Sequence, residues 1–183
     1  MKQASFLFLS VLVLGLGGCG GDDGGEPEST TVAGESATGS PDTFRADDVE
    51  FTFSIAEGGT QVDGTDEVLA AVLLDPGDAD NGVKIRQAAP QPLPSASYIG
   101  TIRQQFEADL GLEVKSTTEV HAGTEMAVLG YEGKSGTIDQ LVRNYFFPGK
   151  TATWHIECIS TRRDTRAAVD QLCAEALDTL VLD

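Results

Sequence analysis

The sequence predicts an α+β domain: a mainly antiparallel sheet of about seven strands with helices packed on its faces. Short segments with alternating or dense apolar residues recur between turn signals, which is typical of strands. Only two segments place apolar residues at helical spacing. Short turns join the strands after the first helix, so consecutive strands should be antiparallel neighbours.

The predicted strands fall into a group of three before the first helix and a group of four after it. They are residues 49–55, 67–75, 82–88, 112–120, 124–132, 138–147 and 151–159. Residues 49–55 (VEFTFSI) alternate apolar and polar side chains, the period of a half-buried strand. The proline-rich segment APQPLP follows the third strand and ends sheet structure there.

Two helices are expected, at about residues 95–110 and 165–180. Ser95 or Ser97 can cap the first helix, and Gly111 ends it. The apolar stripe of the first helix consists of Ile99, Ile102, Phe106 and Leu110. The corresponding face of the second consists of Val169, Leu172, Cys173, Ala176 and Leu180. Each stripe needs a sheet face to cover it.

The middle strands indicate that both sheet faces are covered. Residues 126–131 (MAVLGY) and 141–147 (LVRNYFF) have apolar side chains in both parities. In residues 152–158 (ATWHIEC) one parity is apolar, whereas the other contains Thr153, His155 and Glu157. The simplest architecture therefore packs helices, or the long connection, against both faces.

The chain begins with a segment typical of export. Lys2 precedes the apolar run 6–14 (FLFLSVLVL), which is too short to span a bilayer but suits a signal peptide. Leu16-Gly17-Gly18-Cys19 resembles the bacterial lipobox. The resemblance implies cleavage after Gly18 and a diacylglycerol thioether on Cys19, which would hold the protein on the extracytoplasmic side of the cell membrane. An ordinary signal peptide with an incidental cysteine is the alternative.

Residues 19–43 are interpreted as a disordered acidic tether, and residues 44–183 as a single globular domain. The tether is almost wholly Gly, Ser, Thr, Ala, Pro, Asp and Glu, which cannot bury enough apolar surface to offset the ordering entropy. As a flexible coil it would span about 25–30 Å. The net charge of the chain is −17, which argues against a nucleic-acid partner and against electrostatic adhesion to anionic lipid.

The order of elements in residues 43–183, the GYEGKSG region and the closing helix resemble the PsbP-like fold, which includes the actinobacterial LpqN-type lipoproteins. The resemblance implies a non-catalytic binding or scaffold role at the cell envelope. A second resemblance is to the extracellular sensor domain of some actinobacterial kinases and lipoproteins, which also has cysteines near its final helix.

Few residues suit catalysis or metal binding. His121 and His155 lie in no recognised metal spacing, and His155 with Glu157 reads more simply as a solvated strand face. Residues 75–82 (DPGDADNG) lack the ligand pattern of a calcium loop and indicate a turn, as does GKSGT at 133–137. No catalytic residue, cofactor site or metal site is therefore predicted.

The only cationic cluster in this acidic sequence contains Arg162, Arg163 and Arg166. It could bind an anion, such as a carboxylate or a lipid headgroup. Pairing with carboxylates of the same chain is the simpler interpretation, because acidic residues are in large excess.

Cys158 and Cys173 are predicted to form a disulfide. Export would place them in an oxidising compartment, and each lies on the apolar face of its element. If the last helix packs on the last strand, the two sulfurs meet at that interface. The function expected overall is a lipid-anchored, non-catalytic binding or scaffold domain with an envelope protein or a small ligand as its partner. A sensor or accessory subunit of a transporter or kinase system is the alternative, and an envelope hydrolase is a further one.

Overall fold

A computed structural model describes residues 42–183 except residues 66, 94, 136 and 137. The predicted signal peptide, Cys19 and the tether up to residue 41 lie outside the described residues. The strands are β1 Thr43–Phe44, β2 Phe51–Ser54, β3 Thr60–Thr65, β4 Val68–Leu73, β5 Asn81–Ala89, β6 Lys115–His121, β7 Thr124–Ser135, β8 Ile138–Pro148, β9 Thr153–Ser160 and β10 Val181–Leu182. The helices are α1 Ser95–Leu110 and α2 Arg166–Asp178.

The main sheet has seven strands in the order β3-β4-β5-β9-β8-β7-β6, and every neighbouring pair is antiparallel. The predicted α+β class and strand number are confirmed. The hairpin predicted at GKSGT is also present, since β7 and β8 pair up to the contact of Ser135 with Ile138. Strand β9 lies between β5 and β8. Its pairing with β5 joins the strands before α1 to those after it and connects residues far apart in the sequence.

The membership of the sheet differs from the prediction. The first predicted strand becomes β2, which pairs with β1 and β10 in a separate three-stranded sheet. Its place in the main sheet is taken by β3 (TQVDGT), an edge strand whose residues are all exposed or half-buried and which therefore has little apolar signal. Gly64 is required in β3, because a Cβ there would lie 1.7 Å from the Val68 carbonyl oxygen.

The two faces of the main sheet are covered by different elements, as the apolar residues of both parities predicted. On one face, α2 packs on β5 and β9, and the small sheet completes the larger core. Phe44, Phe51 and Phe53 of the small sheet are buried there, and the rings of Phe44 and Phe53 stack 4.4 Å apart. On the other face, α1 packs on β7 and β8 over a smaller apolar cluster.

Strand pairing in the described residues begins at Thr43 of β1, one residue before the predicted start of the domain at residue 44.

Cys158 of β9 and Cys173 of α2 lie at disulfide distance, with 6.0 Å between their Cα atoms. Both are 5% exposed and belong to the larger core. The geometry is that of the predicted interface, in which the last helix packs on the last strand of the main sheet. A bond here would close a short loop between two elements that already pack together.

Candidate ligand-binding groove

An open groove of about 710 Å³ lies over the outer strands β6, β7 and β8. Contacts at both ends of α2 border it: Arg166 reaches Glu132 of β7, and Asp178 reaches His121 of β6. The lining residues are Glu113, Lys115, Thr117, Glu119, Val128, Gly130, Tyr131, Glu132, Leu141, Val142 and Arg143. The groove exists because α2 packs on β5 and β9 and leaves this end of its sheet face open.

The floor of the groove is organised in rows across the strands, because directly paired residues point to the same face. Lys115, Gly130 and Arg143 form one such row. The next row contains Thr117, Val128 and Tyr145. Gly130 leaves space between the two cations of the first row, since a Cβ placed on it would have no neighbour closer than 3.7 Å.

The acidic side chains Glu119 and Glu132 of the groove have partners within the protein. Glu132 accepts a 2.6 Å hydrogen bond from Arg166. Glu119 lies 3.1 Å from the Nε2 atom of His121 and accepts a hydrogen bond of 3.3 Å from the Thr117 hydroxyl. These contacts use part of the acceptor capacity of both carboxylates.

Tyr145 lies beneath the groove and is 3% exposed. Burial raises the pKa of its hydroxyl, and the charge of Glu119 adds to the effect, whereas Arg143 opposes it through its charge and a hydrogen bond. The His121 ring meets Tyr145 edge-on, with the ring centres 5.8 Å apart. The neutral phenol therefore helps to position Arg143 at the floor of the groove.

The cationic cluster identified in the sequence is paired within the chain, as the simpler interpretation predicted. Arg162 binds Asp164 at 2.6 Å, and Arg163 lies 3.1 Å from Asp139. Arg166 binds Glu132, and its Nη2 atom lies 3.6 Å from Asp139. Arg162 thus pairs within its own turn, whereas Arg163 and Arg166 pair with carboxylates of β7 and β8.

The other face of the sheet corrects the interpretation of His155 and Glu157 as a solvated face. His155 is 8% exposed, stacks on Phe146 and lies 2.8 Å from the Asn144 side-chain oxygen. Glu157 is paired with Arg86, and its side chain is 14% exposed. The alternation predicted for β9 is present, but side chains of the neighbouring strands β5 and β8 cover this face as well.

Burial and charge alter the pKa values on that face. Burial, together with the charge of Arg86, lowers the pKa of His155 to about 3, so its ring is neutral at physiological pH. Burial likewise raises the pKa of Tyr131 to about 12, with Glu157 adding to the shift. Because the Asn144 oxygen accepts, the Nε2 atom of neutral His155 is the donor.

Residues 75–82 form the turn that the sequence indicated, between β4 and β5. Asp75 accepts a hydrogen bond from the Gly77 amide at 2.8 Å, and Asp78 accepts one from the Asn81 side chain at 2.9 Å. Asn81 is 1% exposed and also accepts from the Thr161 amide, so the turn is fastened to the end of β9.

Within the described part of the chain, no group of three or more His, Cys, Asp and Glu side chains is arranged to hold a metal ion. None of the helices in that part is long and apolar enough to cross a membrane. The groove itself was missed by the sequence analysis. Its signal in the sequence was Gly130 between apolar residues in the middle of a strand, which marks either a bulge or an open surface.

No protein-family model matches the sequence, and no curated protein matches it significantly. Among solved structures, the cyanobacterial PsbP protein CyanoP of Synechocystis is similar, with a TM-score of 0.52 at 13% identity over 82% of this chain and 98% of that one. A protein of Bacteroides thetaiotaomicron has a TM-score of 0.53 at 8% identity over 77% of this chain and 48% of that one. LpqN of Mycobacterium tuberculosis, described as involved in cell envelope biogenesis, has a TM-score of 0.49 at 8% identity over 80% and 87% of the two chains.

The likeness to CyanoP confirms the PsbP-like fold that the order of elements predicted. At such low identity the likeness shows the fold alone. The chemistry of this chain therefore has to be argued from its own groove.

Proposed function

We propose that this protein is a non-catalytic binding domain that takes a ligand into the groove over β6–β8, while a lipid on Cys19 holds it at the extracytoplasmic side of the cell membrane. The observation that carries the proposal is the groove: an uncovered part of a sheet face with charged and apolar side chains around a glycine floor. Concave sites that combine apolar surface with a few polar groups are the usual form of ligand pockets.

The composition of the groove supports ligand binding. Among the described residues that line it there is no serine, cysteine or histidine, and its polar side chains are those of threonine, tyrosine, lysine, arginine and glutamate. The two histidines of the chain have other contacts: His121 pairs with Glu119 and Asp178, and His155 is buried on the opposite face. The lining instead supplies donors, acceptors and apolar atoms for a ligand.

The predicted tether fits this role. A disordered segment of about two dozen residues would hold the domain about 25–30 Å from the headgroups and let the groove turn toward ligands in any direction. Its acidic charge would also keep the domain away from an anionic membrane surface.

Adjacent threonines on β6 allow a sharp test. Thr117 lines the groove, whereas Thr118 points to the opposite sheet face, and both side chains are exposed. A photo-crosslinking amino acid is placed at position 117 or 118 of the full-length protein in cells, and the adducts are compared by mass spectrometry. We expect a discrete adduct from position 117 that is absent at position 118.

Gly130→Leu provides the second arm. Its Cβ meets only ordinary contacts, at 3.7 Å and 3.9 Å, so the backbone accepts the side chain while the groove is filled. We expect this change to remove the adduct formed from position 117 without lowering the melting temperature. Equal adducts from the two positions, or an adduct unaffected by Gly130→Leu, would refute binding in the groove.

A further inference from the structure

The row of Lys115, Gly130 and Arg143 defines a more specific site within the groove. In antiparallel sheets, directly paired residues are about 4.5–5.5 Å apart at Cα, so the Cα atoms of Lys115 and Arg143 are separated by about 10 Å. Gly130 lies between them and has no side chain. Two long cationic side chains thus flank an open position on the floor.

Neither cation of the row is neutralised within the described residues. Six other basic side chains there pair with carboxylates: Lys84, Arg86, Arg103, Arg162, Arg163 and Arg166. Lys115 and Arg143 have no carboxylate oxygen within 4.0 Å among the residues that the structure describes, and Arg143 is hydrogen-bonded to the Tyr145 hydroxyl. Among the described residues, Arg45, Lys134 and Lys150 likewise form no ion pair, so Lys115 and Arg143 are distinguished by their position on either side of Gly130 in one row of the groove.

The acidic residues nearby do not close the site. Glu132 is held by Arg166, and Glu119 by His121 and Thr117. Glu113 precedes β6 and lines the groove. The N–H groups of Lys115 and most of those of Arg143 therefore remain available to donate hydrogen bonds to a ligand in the groove.

We infer that the row of Lys115, Gly130 and Arg143 binds the phosphate group of a phosphorylated small molecule, with the group seated over Gly130. This inference rests on the proposed use of the groove and names its ligand class. A phosphate dianion carries two charges and presents oxygens in several directions, so it can contact cations on opposite sides at once. A carboxylate carries one charge, with both oxygens on one edge.

The source of the phosphate is a ligand that enters the groove as a single molecule, not a bilayer surface. An anionic membrane repels a domain of this charge, and the repulsion extends over about 10 Å at moderate salt. A small phosphorylated ligand can enter the groove and accept hydrogen bonds directly from Lys115 and Arg143. These contacts act at shorter range than the repulsion between the domain and an anionic membrane.

The test is an NMR and calorimetric titration of the chain from residue 19 onward, with Cys19→Ser, using inorganic phosphate as the probe. We expect saturable amide shifts centred on Lys115, Thr117 and Gly130. Lys115→Gln and Arg143→Gln should each weaken binding about tenfold, because each removes a charge-assisted contact. Arg143→Lys should retain binding, and Glu113→Gln should tighten it by up to about fivefold by removing a repelling charge.

Lys150→Gln is the matched control, since Lys150 is exposed, lies between β8 and β9 outside the groove and carries the same charge. It should change the affinity less than twofold. The inference is overturned if acetate binds as tightly as phosphate, or if Lys150→Gln weakens binding as much as Lys115→Gln. Binding to phosphatidylglycerol vesicles that phosphate does not displace would also overturn it.

The photo-crosslinking experiment separates this inference from the proposed function. If the adduct formed from position 117 persists when Lys115→Gln and Arg143→Gln are combined, and phosphate does not bind, the groove function stands and the phosphate assignment is wrong. If no adduct forms at position 117 but phosphate titrates into the row, the anion site stands and the proposed physiological use of the groove is wrong.

Discussion

Mild acid should destabilise this protein through His155. The ring is 8% exposed, stacks on Phe146 with the ring centres 4.5 Å apart, and contacts Asn144 at 2.8 Å. Asn144 donates to the Leu129 carbonyl, so its side-chain oxygen faces Nε2 of His155 and a second proton would be added at Nδ1 of the buried ring. Burial and the charge of Arg86 lower the pKa of His155 to about 3 in the folded protein.

The size of the effect follows from linkage between protonation and folding. The folded pKa lies below the usual value of 6.5, so the contribution to stability is complete above pH 6.5 and is lost as the pH falls toward 3. Each pH unit inside that window costs about 1.4 kcal/mol. Between pH 7.5 and pH 5.0 the protein should therefore lose about 2 kcal/mol, a large part of a typical unfolding free energy of about 5–15 kcal/mol.

Urea unfolding followed by tryptophan fluorescence at pH 7.5 and pH 5.0 measures this loss, because Trp154 is buried in the larger core. His155→Phe keeps an aromatic ring against Phe146 but cannot titrate. It should lower stability by about 1–2 kcal/mol at pH 7.5 through the lost hydrogen bond to Asn144, and at pH 5.0 its stability should be close to that of the original protein. The difference between the two pH values, about 2 kcal/mol in the original protein, should largely disappear.

His121→Gln is the control, since it removes the other histidine and leaves His155 in place. His121→Gln should still lose the unfolding free energy that is attributable to His155 between pH 7.5 and pH 5.0. The reasoning is refuted if His155→Phe loses as much stability between pH 7.5 and pH 5.0 as the original protein does.

Three further predictions concern the cysteines and the small sheet. Alkylation of the denatured, unreduced domain should modify neither Cys158 nor Cys173, and replacing both by alanine should cost about 3 kcal/mol in urea unfolding because the closed loop is short; two alkylated thiols would disprove the bond. Cys19→Ser should abolish metabolic labelling by palmitate and release the protein from membranes, and labelling that survives would disprove the attachment site. Glu50→Gln should lower stability by about 1 kcal/mol at pH 7, because Glu50 accepts a 3.0 Å hydrogen bond from Trp154. Hydrogen bonds to the carboxylate lower the pKa of Glu50 to about 2, so the difference from the original protein should vanish as the pH falls from 4.5 toward 2, and a difference that persists there would contradict this account.

Several features of the fold were predictable from local pattern. Residues 126–131 and 141–147 carry apolar side chains in both parities, which required cover on both faces, and α1 and α2 provide it. The apolar stripe around Cys173 and the alternation around Cys158 placed two sulfurs on surfaces that had to meet, and the structure brings them to disulfide distance. These inferences hold because burial of apolar area is the dominant favourable contribution to folding. The spacing of apolar residues that are to be buried can be seen within a single segment of the sequence.

Other features needed the tertiary structure. Residues 60–65 form an edge strand with no buried side chain, so the sequence contained no apolar signal for β3, whereas residues 49–55 had that signal but joined the small sheet. The sequence predicted a solvated face for His155, but Phe146 and Asn144 of β8 cover the ring in the folded protein. In both cases the outcome depends on which distant segments pack together.

The sequence by itself determined the class of fold, the two covered sheet faces and the facing cysteines, because each depends on which residues within one segment avoid water. Only the tertiary structure decided the groove. Lys115, Gly130 and Arg143 come from three different strands, and their alignment in one row depends on the register of β6, β7 and β8. Register is set by how the apolar patterns of paired strands match and by the turns that join them, and the open floor depends on where α2 ends its cover of the sheet.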